Sequence, residues 1–553
     1  MNRPDLPHDL FDRHLAAFLE GRCGLAAVEK PVFRTLIADL SAAMAGGHVC
    51  LPVTGAQAML LSRSPLVSDG RIPAPLVVDA GRLYLHRYYR YERRLADRLL
   101  QLAAVRHPVP DLELLLDGCF PVATATTDRQ RLAARLALTR SLTLITGGPG
   151  TGKTYAVARI LALLLLVHGP DLRLALTAPT GKAAMRLRQS IAAGVTGLDL
   201  PPELAAAVPE QASTLHRLLG VRADSSHFRH DAGNPLPAGV VVVDEASMID
   251  LALMSKLVDA LGPTTRLILL GDRDQLASVE SGAVLADCSR SLPDNTVELD
   301  RTYRFDHGIS ELAALVNSSD GDGAWELLDS AAADSVSLVR GSFLTHAVAR
   351  YRDYMTAAAQ AEGESQIQAL FALLNRFRVL CAVHRGERGT AAVNAAIEGG
   401  LRDAGCAIPF DEIWYPGRPV LVTSNDYSLD LFNGDVGICL PDQALGGRST
   451  VWFERPEGRL RSILPSRLPQ CETVFAMTIH KSQGSEFDEV LVVLPEHDSQ
   501  VLSRELVYTA ITRARKSVRI DARREVLAMA AGRTLDRSSG LAGMLARPAA
   551  GTL

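Results

Sequence analysis

Apolar positions along the chain follow two different rhythms. Over the first hundred residues they recur at helical spacing in 10–19, 31–44 and 87–100, interrupted by Pro- and Gly-bearing segments. The last of these runs interleaves arginine with tyrosine. A Pro-bearing stretch at 107–110 reads as a linker, and another helical pattern carries on to Phe120. From Arg129 the rhythm becomes short apolar runs alternating with longer helical patterns, the signature of a parallel sheet covered on both faces. The runs 142–146, 172–178, 240–243 and 266–270 are predicted strands, each ending in a loop rich in Gly, Pro, Asp or Thr. In such sheets ligands bind beyond the carboxyl ends of the strands. A second alternating region opens near Asp300 and resumes with predicted strands at 378–382 and 490–494. Between these two strands, over roughly 412–469, short strand patterns are punctuated by Asn433-Gly434 and Gly446-Gly447, which predict tight turns in a small β-rich insertion. The tail after Arg533 is rich in Arg, Ser, Gly and Ala and is expected to fray.

Composition narrows the class without naming it. At 553 residues the chain exceeds what one hydrophobic core can serve, so three or four domains are expected. With 47% hydrophobic and 22% charged residues it has the make-up of an ordinary globular protein, which excludes extensive disorder. A net charge of −4 supplies no global positive field, so any surface for a polyanion must be local, a basic stripe with backbone donors. The eight cysteines are scattered singly with no C-x-x-C pair. That pattern points to reduced thiols in a cytoplasmic protein rather than a disulfide framework or a zinc or iron–sulfur site. The first ten residues carry Pro4, Asp5 and Pro7 and no apolar core, unlike a signal peptide. The most apolar stretch, 160–167, is about half a membrane span and reads as a buried helix, so no membrane is expected as a partner.

The first chemical signal is Gly147-Gly148-Pro149-Gly150-Thr151-Gly152-Lys153-Thr154, which follows a predicted strand and opens an apolar helix. In that context the glycines let backbone N–H groups converge on phosphate oxygens at a helix N-terminus. Lys153 is placed to reach the β- and γ-phosphates of ATP, and Thr154 to put a hydroxyl on Mg²⁺. The four valines 240–243 run straight into Asp244-Glu245, so both carboxylates belong at the end of a buried central strand. Asp244 suits Mg²⁺; Glu245 suits the attacking water. Without the valines and the loop, the same pair would be a helix N-cap. After the strand 266–270, Gln275 is a candidate γ-phosphate sensor, with a plain turn residue as the alternative. Gln130, one short helix before the loop, can offer an adenine edge both a donor and an acceptor; a solvated surface amide is the alternative. Arg304 and Arg513 lie beyond the first sheet, and a single arginine there is ordinarily a surface salt bridge.

Further segments fall in a fixed order. They are Thr177-Ala178-Pro179-Thr180-Gly181-Lys182-Ala183-Ala184, Ser213-Thr214-Leu215-His216-Arg217-Leu218-Leu219-Gly220, and Val242-Val243-Asp244-Glu245-Ala246-Ser247-Met248-Ile249-Asp250. Then come Gly271-Asp272-Arg273-Asp274-Gln275-Leu276-Ala277-Ser278-Val279-Glu280, Leu431-Phe432-Asn433-Gly434-Asp435, Ala476-Met477-Thr478-Ile479-His480-Lys481-Ser482-Gln483-Gly484-Ser485-Glu486-Phe487-Asp488 and Arg504-Glu505-Leu506-Val507-Tyr508-Thr509-Ala510. Together they resemble the superfamily 1 DNA helicases, and within them the RecD family, the alpha subunits of exodeoxyribonuclease V (the RecBCD complex). The resemblance covers nearly the whole chain.

It implies an α/β fold with two RecA-like P-loop NTPase domains and ATP between them, a helical N-terminal domain, and a small β-rich (SH3-like) insertion in the second motor domain. The corresponding division is 1–110 for a partner-docking domain, 111–298 for motor domain 1 and 299–553 for motor domain 2, with the insertion at about 412–470. The implied activity is ATP-dependent 5′→3′ movement along single-stranded DNA by a helicase subunit, with RecB-like and RecC-like partners in a heterotrimer that acts on double-strand DNA ends in recombinational repair. On the same ground, Arg304 and Arg513 are expected as arginine fingers. Pro179, Thr180, Lys182, Thr214, His216, Thr478 and His480 are expected to face DNA, through hydroxyls and cations that hold phosphate without reading sequence. Gly484 and Glu486 match a motif touching both nucleotide and DNA. The stretch 280–300 is shorter than the family pattern leads one to expect. No carboxylate-plus-lysine constellation reads as a nuclease centre, so cutting is expected of a partner. Two alternatives stand beside this reading: a self-sufficient RecD-like helicase, and a scaffold retaining a nucleotide fold. The intact Lys153, Asp244, Glu245, Gln275 and Arg513 argue against the scaffold.

Overall fold

A computed structural model of the protein describes residues 8–120, 125–222, 225, 227–278, 281–300, 306–330, 334–426, 428–455, 459–535 and 537–547. All four strands predicted in the first alternating region form, within two residues of their expected limits. They sit in a six-stranded sheet whose spatial order is Thr296–Leu299, Leu142–Gly147, Arg266–Gly271, Val240–Val243, Leu174–Ala178, Ser213–Thr214. Every pairing in it is parallel. The three central strands are buried at every position, which is why they read as unbroken apolar runs. The apolar helix Lys153–His168 is indeed a buried one, packed between the helices Ala125–Thr139 and Gly181–Thr196. Among the described residues no helix is long and apolar enough to cross a membrane.

A second parallel sheet of five strands runs Val336–Leu338, Ala514–Asp521, Phe487–Val493, Phe377–Cys381, Ala476–Thr478. The two sheets are the pair of RecA-like layers that the resemblance implies. Between Phe377–Cys381 and Ala476–Thr478 the chain leaves to form a five-stranded antiparallel sheet, ordered Leu460–Ile463, Arg448–Glu454, Val436–Asp442, Pro419–Val422, Cys471–Thr473. Its main hairpin turns where predicted, with Gly446 and Gly447 at φ 69° and 77°, backbone that L side chains rarely adopt.

Two expectations are corrected at the chain's ends. The N-terminal region is not purely helical: besides its helices it holds a four-stranded sheet ordered Leu51–Pro52, Arg82–Leu85, Leu76–Asp79, Val67–Ser68. Strands of two to four residues are too short to show a period of two. The tail does not fray through its described residues. Val49 donates its N–H to Ser538 O at 2.8 Å. The helix Leu541–Leu545 buries Leu541, Met544 and Leu545 against the helix His86–Ala104. Three apolar residues at helical spacing outweigh the polar composition around them. The same His86–Ala104 helix packs on Leu251–Asp259 and shares one core with Leu142 and Leu144 of the first sheet. The expected linker is pinned as well, with His107 N–H on Thr139 O at 2.8 Å.

Candidate active site

The phosphate loop turns because three of its glycines take positive φ: Gly147 at 151°, Gly150 at 78° and Gly152 at 84°. A Cβ on Gly147 would lie 2.4 Å from Leu299 O, so the loop tolerates no side chain there. One on Gly152 would lie 2.7 Å from Nε2 of Gln130, which places the buried Gln130 amide directly against the loop. Lys153 folds back over it, Nζ donating to Gly147 O at 2.6 Å and Gly148 O at 2.9 Å. An ammonium hydrogen-bonded to backbone carbonyls can exchange them for phosphate oxygens.

A cavity of about 710 Å³ opens in front of the loop, lined by Pro149, Gly150, Gly152, Lys153, Thr154, Asp244, Glu245, Gln275, Gly484, Glu486 and Arg513. Sequence positions more than three hundred residues apart thus meet in one cleft between the two sheets. Burial, with Glu245 adjoining, pushes the Asp244 carboxyl up to about 6, against the pull of Lys153 and Arg186. Burial likewise lifts Asp272, also in the cleft, to about 6. Two carboxylates whose charge is disfavoured by desolvation want a cation beside them. Among the described residues no cluster of three or more His, Cys, Asp or Glu forms a cage. Glu245 sits at φ 52°, left-handed backbone that costs a non-glycine residue of order 1–2 kcal/mol, and its N–H donates to Asp244 Oδ1 at 2.9 Å. Gln275 is buried on the turn after Arg266–Gly271.

Arg513 enters from the second sheet, between the helix Arg504–Ile511 and the strand Ala514–Asp521. It is buried and anchored, Nε donating to Thr509 O at 3.1 Å and Nη1 to Ser485 O at 3.3 Å. Burial lowers its pKa, opposed by Glu245, Glu486 and Asp272. Arg304 lies outside the described residues, as do Val279 and Glu280 of the quoted motif.

Several contacts around the cleft escaped the sequence reading. Tyr508 Oη donates to Asp272 Oδ2 at 3.0 Å, Leu276 N–H to Thr509 Oγ1 at 2.9 Å, and Gln483 Nε2 to Leu276 O at 2.7 Å. The second sheet therefore grips the very turn of the first that carries Asp272 and Gln275. Arg186 spans the cleft the other way, donating to Gly484 O at 3.0 Å and pairing with Glu486 at 2.6 Å. Arg515 takes the other Glu486 oxygen at 3.0 Å. Arg186 stands one helical turn from Lys182, a signal that could have marked it; the Tyr508, Thr509 and Gln483 contacts leave no trace in spacing.

The expected DNA-facing residues lie at carboxyl ends of strands: Pro179 and Thr180 after Leu174–Ala178, Thr214 closing Ser213–Thr214, and Thr478 closing Ala476–Thr478, with His480 just beyond. Thr180 and Thr214 also cap the helices that follow, accepting from Ala183 and Arg217 N–H. Lys182 and Thr214 line a shared cavity of about 420 Å³ that the β-rich insertion completes with Phe432, Asp435, Glu454 and Arg455. Desolvation lowers Lys182 to about 8. Thr478 and His480 are not part of that wall, and His480 is held below its ordinary pKa by burial and by Arg537.

Comparison with known proteins bears on this geometry. A profile described as an AAA domain matches residues 130–281, and one described as a UvrD-like helicase C-terminal domain matches 473–520. The chain is 40% identical to RecBCD enzyme subunit RecD of Mycolicibacterium smegmatis over 540 residues, 92% of each chain. The chain belongs to the RecD family. A further relative, ATP-dependent RecD2 DNA helicase of Deinococcus radiodurans, is 31% identical over 79% of this chain and 54% of that one. Bacteroides Pif1 bound to ssDNA aligns with a TM-score of 0.40 at 16% identity over 73% of this chain and 94% of that one, too distant to add to what the sheets show.

Proposed function

We propose that this chain is the ATP-dependent 5′→3′ DNA helicase and translocase subunit of a RecBCD-type helicase–nuclease acting on double-strand DNA ends in recombinational repair. One observation carries the motor part of that reading: Arg513 of the second sheet lines the same cavity as Lys153, Asp244, Glu245 and Gln275 of the first. Nucleotide in such a cavity ties the sheets together, and loss of the γ-phosphate releases them.

In this reading the loop from Gly147 to Thr154 cradles the phosphates and Lys153 bridges the β- and γ-phosphates. Thr154 and Asp244 are the residues that would hold Mg²⁺, which supplies charge neutralisation at the transferring phosphoryl group when bound. Glu245 orients the attacking water, Gln275 senses the γ-phosphate, and Arg513, with Arg304, stabilises transition-state charge. Gln130 meets the adenine edge. The grip of Tyr508, Thr509 and Gln483 on the 272–276 turn carries the change in the cleft to the second sheet. Pro179, Thr180, Lys182, Thr214, His216, Thr478 and His480 form the track on which single-stranded DNA is drawn. The chain works in the cytoplasm with RecB-like and RecC-like subunits, and the nuclease centre belongs to one of them.

The test is strand displacement on duplexes carrying only a 5′ or only a 3′ overhang. Unwinding from the 5′ overhang alone is expected, and unwinding from the 3′ overhang alone refutes the polarity. Co-purification with RecB- and RecC-like chains separates the subunit from a self-sufficient helicase; the 40% identity to a RecD subunit, against 31% to RecD2, supports the former.

A further inference from the structure

The helix His86–Ala104 and the segment 227–233 enclose a groove of about 940 Å³, away from the nucleotide cleft. Arg87, Arg90 and Arg94 line it from the helix, at spacings of three and four residues that put them on one side. His227, His230 and Lys256 line it as well. Its two acids are already engaged: Asp259 pairs with Arg94 at 2.9 Å, and Asp231 accepts backbone N–H groups of Gly233 and Asn234 at 2.8 and 3.1 Å. Arg87, Arg90, Arg94 and Lys256 outnumber Asp231 and Asp259 in the lining, which makes the groove positive in a chain whose net charge is −4.

Rings alternate with these cations. The Arg87 guanidinium lies 5.6 Å from the Tyr91 ring centre, its Nε on the Tyr91 hydroxyl at 3.2 Å, and Lys256 Nζ lies 5.1 Å from the Phe228 ring centre. Cations for phosphates and rings for bases are the chemistry of sequence-tolerant binding to a single strand. The groove also abuts the expected track: Phe228 meets the His216 ring edge-on, centres 5.8 Å apart at 67°.

We propose that this groove is a second binding site for single-stranded DNA, holding the strand beyond the stretch engaged by Thr214 and His216. The proposal rests on the track reading given above. It is tested on the full chain by fluorescence titration with duplexes bearing oligothymidylate 5′ tails of about 8 and about 25 nucleotides, across a salt series. In an Arg87→Glu/Arg90→Glu variant, affinity for the long tail is expected to fall about tenfold or more. The slope of log affinity against log salt should fall by about 1.4, from two phosphate contacts at about 0.7 each. The short tail should bind as before. Tyr91→Ala should weaken the long tail about tenfold through lost stacking, and Arg87→Lys/Arg90→Lys should retain binding. Both arginines are exposed, so the melting temperature should not move. Equal long-tail affinity in wild type and the Glu variant overturns the proposal. So does a variant that loses partner subunits while keeping the long tail, which makes the groove a protein-docking surface. If the wild type binds neither tail, the track reading fails first.

Discussion

Glu92 offers a quantitative test of how the tail is held. Its carboxylate is buried in the helix His86–Ala104 and accepts Ser539 Oγ at 2.7 Å and Gly540 N–H at 3.0 Å. Tyr84 is a further hydrogen-bond partner, and Asp287 is a nearby like charge. Burial outweighs the hydrogen bonds and lifts the carboxyl from its ordinary 4.5 to about 7. The folded chain therefore keeps this proton up to about pH 7, whereas the unfolded chain releases it near 4.5. Stability from this group is present below that lower value and drains away as pH rises between the two. At about 1.4 kcal/mol per pK unit the loss is about 3 kcal/mol. Glu92→Gln keeps the shape and cannot titrate. Relative to wild type it should gain stability between pH 5 and pH 8 by up to about 3 kcal/mol. The readouts are denaturant melts at a series of pH values and hydrogen-exchange protection of 537–547. Wild type should lose protection of the tail toward pH 8 while the variant holds it. Parallel pH curves for the two proteins would refute the reasoning.

Lys153→Ala is expected to abolish DNA-stimulated ATP hydrolysis with the fold retained, checked by phosphate release beside a thermal melt. Arg513→Ala should still bind ATP, measured with a fluorescent analogue, while single-turnover hydrolysis falls about 10³-fold or more; unchanged hydrolysis would leave Arg513 a structural residue. Tyr508→Phe removes a buried hydrogen bond to a carboxylate, worth about 1.5–3 kcal/mol, so kcat should fall about tenfold or more. Because that bond favours the charged form of Asp272, its loss should also move the acid limb of the pH–rate profile to higher pH, a shift that a merely loosened structure would not produce.

The candidate site was legible because local sequence dictates the shape of its parts. A phosphate loop needs glycines at positive φ within eight consecutive residues, and a buried parallel strand needs an unbroken run such as 240–243 before its terminal acids. The strands predicted at 142–146, 172–178, 240–243, 266–270, 378–382 and 490–494, the turn at Gly446-Gly447 and the strand-end positions of Asp244 and Glu245 follow from such short-range patterns.

What spacing did not reveal are contacts whose partners lie far apart in the chain. Tyr508 and Asp272 are separated by 236 positions, and Glu92 and Gly540 by 448. Neither pair alters a local period, so neither leaves a mark on the hydrophobic pattern. The tail reads as polar and loose until three apolar side chains find a helix to cover, and the N-terminal strands are too short to declare themselves. By itself the sequence determined six of the central strands and the candidate residues at their ends. Tertiary structure decided which of those ends face one another, which carboxylates lose their water, and how the last residues of the chain lock onto the first hundred. Burial and long-range pairing are properties of the folded arrangement, and the cleft exists only where the two sheets meet.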